Sequence, residues 1–270
     1  MSIILGIDVG GSTTKIVGLQ GETLLGVKQV RAKDQVTALF GAIGNFLHDH
    51  TLELGDISGI VLTGVGSSFI FSERIYGIET RKVNEFEAIG RGALLLSGLD
   101  EALVISMGTG TAYVMATKDR ITRIGGSGVG GGSVLGLASC MLGKDDVEAI
   151  LALAENGRLE NVDLKVSDII GCEIPSLPSD LTAANFGKLK STASESDVAL
   201  GIINMVFETA GMLAVFALRN DAVKDVVVTG TLATFPQAKD VFAQFSTHTG
   251  LNFIIPENAV YATALGAAAG

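Results

Sequence analysis

Residues 3–17 read Ile3-Ile4-Leu5-Gly6-Ile7-Asp8-Val9-Gly10-Gly11-Ser12-Thr13-Thr14-Lys15-Ile16-Val17. A β-branched apolar run ends at an aspartate, passes two glycines and three hydroxyl residues, and re-enters a strand-like run. That is the pattern of a β-hairpin whose turn brings backbone N–H groups close to a phosphate, because glycine removes the Cβ that would hold the main chain away. Asp8 stands at the strand end, where a carboxylate is placed to hold a hydrated Mg²⁺. The stretch lacks the Gly-Lys-Ser/Thr ending of a P-loop and does not open a helix as a dinucleotide fingerprint does.

Outward from this hairpin, residues 3–9, 14–20 and 23–31 read as three consecutive strands. Asp34 then caps a helix with Val36, Leu39, Phe40, Ile43, Phe46 and Leu47 at helical spacing. A buried strand spans 57–63 and a helix 84–97, giving βββαβα with one further strand expected. A second unit opens near Ala102: strand 103–106, the turn Met107-Gly108-Thr109-Gly110-Thr111, a strand through Thr117, and a third strand over 121–124. The run Gly125-Gly126-Ser127-Gly128-Val129-Gly130-Gly131-Gly132-Ser133 reads as a loop that opens a helix at Ser133 with free N–H groups for an anion. Its formal GxGxxG match is weak, since any glycine run produces one. Helices are expected over 144–156, 195–220 and 260–269, and strands over 225–228 and 252–255.

Three strand ends thus carry glycine with hydroxyl residues: Asp8–Thr14, Ser106–Thr111 and Thr229–Thr231. Taken in order, they resemble the phosphate-1, phosphate-2 and adenosine motifs of the acetate kinase/sugar kinase/Hsp70/actin superfamily. The resemblance implies an α/β fold, a duplicated βββαβαβα of the actin-like or ribonuclease H-like ATPase kind, with a nucleotide cleft between residues 1–98 and 99–270 and the final helix packing back on the first unit. It implies ATP and Mg²⁺, with Asp8 organising the metal through water. The expected nucleotide contacts are Asp8, Gly10, Gly11, Ser12, Thr13, Thr14 and Lys15 in the first hairpin and Gly108, Thr109 and Gly110 in the second. Gly128, Gly130, Gly131 and Gly132 of the glycine run, with Gly230 and Thr231, complete the set. Lys15 reads equally as an outward strand residue.

Bulk properties narrow the class. A net charge of −10 argues against non-specific binding to nucleic acid or anionic membrane. The apolar runs look too short to span a bilayer, and the start reads as a first strand rather than a signal peptide, so the cytoplasm is the expected location. Cys140 and Cys172 have no zinc or redox spacing, and Cys140 lies in an apolar run where a buried thiol is expected. His48, His50 and His248 offer no ligand spacing.

Phosphoryl transfer needs positioning, charge neutralisation and a group to receive the acceptor's proton. Glu85, in Asn84-Glu85-Phe86-Glu87-Ala88, begins a helix after a strand and is the candidate base. By spacing alone, a helix-start carboxylate favoured by the macrodipole is the commoner reading; Glu87, two residues on, faces elsewhere. Arg123 directly precedes the glycine run and is a candidate clamp for a carboxylate or phosphate, or equally a solvent-facing hairpin arginine.

The combination is similar to the type II pantothenate kinases. The residues that carry the likeness are 8–15, 84–88, 108–111, 123–132, Asp163-Leu164-Lys165-Val166 and Asp180-Leu-Thr-Ala-Ala-Asn-Phe-Gly187. The family would make Glu85 the base that activates the primary hydroxyl of pantothenate. Arg123 would bind the pantothenate carboxylate and Thr109 would contact the acceptor. The product would be 4′-phosphopantothenate on the way to coenzyme A. It also implies a homodimer with helix 195–220 near the interface, and coenzyme A or its thioesters as regulators. One departure is Ala112, where the family pattern carries serine; the lost hydrogen bond is worth about 1 kcal/mol. An amino-sugar kinase of the same fold is an alternative. More distant are an ATP-driven activator of a radical dehydratase, with an iron–sulfur cluster across a dimer, and a silent acyl-CoA-binding paralogue. The loop of residues 174–179, broken by Pro175 and Pro178, is expected to shape the acceptor pocket.

Overall fold

Ile3–Val9 (β1), Thr13–Gln20 (β2) and Thr23–Arg31 (β3) form an antiparallel meander, as their apolar runs and glycine turns predict. The structure is a computed structural model and describes residues 2–31, 34–172, 174–175 and 177–270. Gln35–Asp49 (α1) follows, started by Asp34, whose carboxylate accepts from the Thr37 amide at 2.7 Å. Its apolar stripe of Leu39, Ile43 and Phe46 is fully buried against the meander. The chain then crosses to Ile57–Thr63 (β4), which pairs in parallel with β1. A short hairpin, Arg74–Ile75 (β5) and Ile78–Lys82 (β6), closes the edge. β6 runs parallel to β4 directly ahead of Glu85–Ser97 (α2), so the first unit's added strands come before that helix and not after it as expected. The first sheet runs β3-β2-β1-β4-β6-β5. β1 is covered on both faces, which is why it reads as a continuous apolar run rather than an alternation.

The second sheet repeats the plan. Glu101–Met107 (β7), Thr111–Thr117 (β8) and Ile121–Ser127 (β9) are antiparallel neighbours. The first part of the glycine run is therefore strand, and Gly131–Leu142 (α3) begins two residues ahead of Ser133. Val147–Ala154 (α4), capped by Asp146, is shorter than the 144–156 expected from its apolar run. Leu164–Lys165 (β10) and Thr182–Ala184 (β11) pair with each other. Glu195–Ala217 (α5) crosses the back of the sheet. Asp225–Thr229 (β12), Pro236–Thr249 (α6) and Asn252–Ile254 (β13) complete the order β13-β12-β7-β8-β9, and Ala262–Ala268 (α7) ends the chain.

α5 corrects one expectation. It is long and apolar enough to cross a bilayer by length and composition, with a mean hydropathy of 1.8 over 18 residues. More than half of that window (56%) is buried in the fold, where Ile202, Ile203, Val206 and Phe207 pack in the core of the second unit.

The two units meet through exchanged helices. α2 packs Ile89 and Ala93 on Val104, Val114 and Ala116 of the second sheet, while α7 packs Ala264, Leu265 and Ala268 on Val17 and Leu19 of the first. α2 and α7 lie against each other between the sheets. The helix that starts with Glu85 is thereby fixed against both units, and its N-terminus opens into the space between them.

Candidate active site

The turns after β1, β7 and β12 converge on one cleft of about 800 Å³. Asp8, Gly10, Gly11, Ser12, Thr13 and Lys15 line it from the first unit, and Gly108, Thr109, Gly110, Arg123, Gly128, Gly131, Gly132, Gly230 and Thr231 from the second. Glu85 enters from the start of α2. Two residues expected to bind nucleotide are not on its wall. Thr14 is buried on the opposite face of β2 from Thr13 and Lys15, as strand alternation requires. Gly130 is the N-cap of α3, buried against Gly110, with its amide turned to Ser133 Oγ at 3.3 Å.

The amides are distributed differently from the expectation of a free helix N-terminus. Gly131 N–H donates to the Gly108 carbonyl at 2.9 Å and Gly132 N–H to the Thr109 carbonyl at 2.8 Å. Thr111 Oγ1 donates to the Val129 carbonyl at 2.8 Å. The first turn of α3 is thus spent on fixing the β7–β8 turn. The amides of Gly11, Ser12, Thr109, Gly110 and Gly128 have no acceptor among the described residues, and these are among the donors left for an anion.

Asp8 and Lys15 sit opposite each other on β1 and β2, both under 10% exposed, with Lys15 Nζ 3.7 Å from Asp8 Oδ2. Burial pushes the Asp8 carboxyl above the usual carboxylate range, against the lowering pull of Lys15. Gly64, with φ of +84°, follows the parallel partner strand, and a Cβ there would fall 2.4 Å from Asp8 Oδ1. Sequence reading passed over this glycine, although Thr63-Gly64 at a strand end is the available signal. Glu85 is half-buried; burial and then the Asp8 charge raise its carboxyl, and Lys15 opposes them. Glu87 is exposed and borders a separate groove beside the β8–β9 turn.

Arg123 is exposed, with its guanidinium carbon 5.2 Å from the ring centre of Phe86. Among the described residues it has no ion pair. Arg31 at the end of β3 lines the cleft and pairs with Glu148 in the first turn of α4, which joins the two units. Ser106 of the second strand-end motif and Phe86 of the 84–88 stretch also reach the cleft, as do Gln29, Asp145 and Thr263, which were not singled out by sequence.

Other expectations fall away from it. The 180–187 motif, which carries the family likeness without a sequence-assigned place in the site, is tied to α5: Glu208 accepts from Thr182 Oγ1 at 2.6 Å and Asn185 Nδ2 at 2.7 Å. The fully buried Asp163 accepts from the Phe186 amide at 2.8 Å and Asn204 Nδ2 at 2.9 Å. In the 174–179 loop Ser176 lies outside the described residues; Ile174 bridges Leu177, and neither lines the cleft. Cys140 is exposed, contrary to expectation, because it lies about 200° around α3 from the buried Ala138. Cys172 is exposed as well. Burial of Cys140 is therefore no argument against an iron–sulfur protein. His50 packs on Phe46 and His248 bonds Asp180, both away from the cleft.

The chain is similar to known proteins over nearly its whole length. The type II pantothenate kinase of Staphylococcus haemolyticus is 28% identical over 275 residues, spanning 97% of this chain and 98% of its own. That of Bacillus cereus is 26% identical over 277 residues, spanning 99% and 98%. Among solved structures, component A of the Acidaminococcus fermentans (R)-2-hydroxyglutaryl-CoA dehydratase aligns with a TM-score of 0.72 at 20% identity, covering 99% of this chain and 96% of that one. A ROK family glucokinase from Streptomyces griseus, in complex with glucose and AMPPNP, aligns at 0.61 and 12%, covering 99% and 98%. These likenesses establish the actin-like ATPase fold. The Fumble family model matches residues 98–246, more than half of the sequence, and the chain belongs to that family.

Proposed function

We propose that the protein phosphorylates pantothenate, moving the γ-phosphoryl group of ATP to the primary hydroxyl to give 4′-phosphopantothenate and ADP, the first step of coenzyme A biosynthesis. The observation that carries this reading is similarity to type II pantothenate kinases over nearly the whole chain. The cleft supports it by joining Asp8, Lys15, Glu85 and Arg123 in one space.

In this reading Glu85 is the general base. It takes the hydroxyl proton as the oxygen–phosphorus bond forms and the bond from the γ-phosphorus to the β–γ bridging oxygen breaks, and its burial-raised basicity suits that task. Arg123 holds the acceptor's carboxylate in a charge-assisted pair, which turns the opposite, hydroxyl end towards Glu85. Thr109 offers its hydroxyl to the acceptor. Lys15 and the unpartnered amides of Gly11, Ser12, Thr109, Gly110 and Gly128 bind phosphate oxygens. No group of three His, Cys, Asp or Glu side chains suited to a metal occurs among the described residues. A single carboxylate at Asp8 fits a hydrated Mg²⁺ held chiefly by substrate phosphates and water. When bound, that ion would neutralise charge on the phosphates.

Three further elements belong to the proposal. The outward residues Met212, Leu213 and Phe216 of α5 offer a face to a second copy of the chain. Coenzyme A or its thioesters act as regulators, and the protein works in the cytoplasm.

The test is ADP release from ATP·Mg²⁺ with pantothenate, with N-acetylglucosamine and with neither, for the wild type and Glu85→Gln. Turnover should require pantothenate and fall about 10²- to 10⁴-fold in the variant while ATP still binds. ATP binding without pantothenate-dependent turnover would refute the assignment. Turnover with the amino sugar would redirect it to that acceptor class, and a brown purified protein would redirect it to the activator.

A further inference from the structure

Arg123 reaches the cleft through an irregularity in its own strand. Tyr113 of β8 pairs with Gly125 of β9, and Val114 pairs with Arg123, so Ile124 is one residue too many in β9. A bulge of this kind reverses the side-chain alternation on either side of it. Arg123 therefore shares a face with Gly126, the partner of Ala112, and not with Gly125, two residues on. On that face the guanidinium meets two things. Gly126 lies close beneath it, near enough that a Cβ there would sit 3.3 Å from Nη2. Phe86 presents its ring at 5.2 Å.

Phe86 is itself fixed. Its amide donates to Asn84 Oδ1 at 2.9 Å, and its ring packs in the apolar cluster that includes Ala112 and Ile121. Alanine at 112, where the family pattern carries serine, keeps this face apolar and leaves the ring no polar neighbour at that position. Phe86 also directly follows Glu85. The ring that faces the guanidinium and the carboxylate proposed as base are adjacent residues in the first turn of one helix.

We infer that Phe86 is the positioning residue for Arg123: its ring holds the guanidinium over the cleft by a cation–π contact, and so ties the carboxylate-binding end of the acceptor site to the helix start that carries Glu85. The inference rests on the pantothenate kinase reading. A partly exposed cation–π contact sets the size of the effect, about fivefold in acceptor binding. It also sets the specificity: an acceptor without a carboxylate gains nothing from an aligned Arg123.

The experiment measures kcat and KM for pantothenate and for pantothenol, in which a CH₂OH group replaces the carboxylate, in the full chain. The variants are Phe86→Leu, Phe86→Tyr and Arg123→Met. Phe86→Leu should raise KM for pantothenate about fivefold, leave KM for pantothenol as in the wild type, and be rescued by Phe86→Tyr, which restores an aromatic face. An equal rise for both acceptors would assign Phe86 to packing alone and overturn the inference. An unchanged KM in Phe86→Leu, beside a raised one in Arg123→Met, would overturn the inference and leave the clamp standing. An unchanged KM in Arg123→Met would overturn the clamp itself, and the inference with it.

Discussion

Replacing Gly92 with alanine tests the contact that fixes α2, the helix that starts with the proposed base Glu85. α2 and α7 cross backbone to backbone. A Cβ on Gly92 would lie 1.8 Å from the Ala262 carbonyl oxygen, and one on Gly266 would lie 1.9 Å from that of Ala88. Ordinary contact begins near 3.4 Å, so alanine at 92 forces the helices apart by roughly 1.6 Å. Neither helix has room to retreat, since α2 lies on the second sheet and α7 on the first. Overpacking usually costs about 1–3 kcal/mol, and a clash with backbone on both sides belongs at the top of that range. At about 2–4 °C per kcal/mol for a chain of this size, Tm should fall by about 6–12 °C. Activity should fall further than stability implies. Glu85 lies seven residues, about 10 Å, up the same helix, and a misplacement of about 1 Å at a reacting group costs about 100-fold. The matched control is Gly41→Ala in α1, where a Cβ meets nothing within 4 Å. There the helix gain of alanine over glycine should stabilise by about 0.5–1 kcal/mol. Calorimetric melting and initial rates with pantothenate read both effects. A Gly92→Ala protein that melts within about 2 °C of wild type with unaltered kcat would refute the backbone contact.

Two other expectations are narrower. Burial and the neighbouring Asp8 raise the Glu85 carboxyl, and in its proposed role as base it works only when deprotonated, so the acid limb of kcat/KM should lie above the ordinary glutamate value of 4.5 and activity should be lost as pH falls through it; a limb at or below 4.5 would refute this. Asn204→Leu leaves one oxygen of the fully buried Asp163 without its partner, which should cost about 1–3 kcal/mol. That loss should appear as a lower urea midpoint at constant m, and an unchanged midpoint would show that the pair is not a stabilising element.

Local signals account for much of the architecture. The hairpin at Asp8–Lys15 was readable because an apolar run, two glycines and hydroxyl residues each specify the same turn. The cap at Asp34 and the stripe on α1 were readable for the same reason. What escaped depends on contacts distant in sequence. Strand alternation separates Thr14 from Thr13 and Lys15, so that correction was within reach. The free amides were not, because it takes the fold to bring the Gly108 and Thr109 carbonyls to the first turn of α3. The aim of Arg123 depends on a bulge at Ile124, a residue with no feature that announces one. α7 is buried on every side; its small residues predict close packing but not against which partner.

The distribution of charge in the cleft follows from the protein's own acidity. A chain of net charge −10 has to bring two anions together, and only three cationic side chains among the described residues line the cleft. They are not equivalent. Arg31 lines the cleft but is paired with Glu148 of the other unit. Lys15 is buried beside Asp8, but at 3.7 Å its ammonium still has donors for a phosphate oxygen. Arg123 has no carboxylate partner and rests on an aromatic face, which attracts the cation without cancelling its charge. Arg123 is therefore the cation best placed for the acceptor carboxylate in the proposed function. The several charges of a triphosphate meet one half-neutralised lysine and a set of neutral amides. That imbalance is the physical ground for the proposed Mg²⁺ at Asp8, a buried carboxylate whose charge burial disfavours and Lys15 only partly restores.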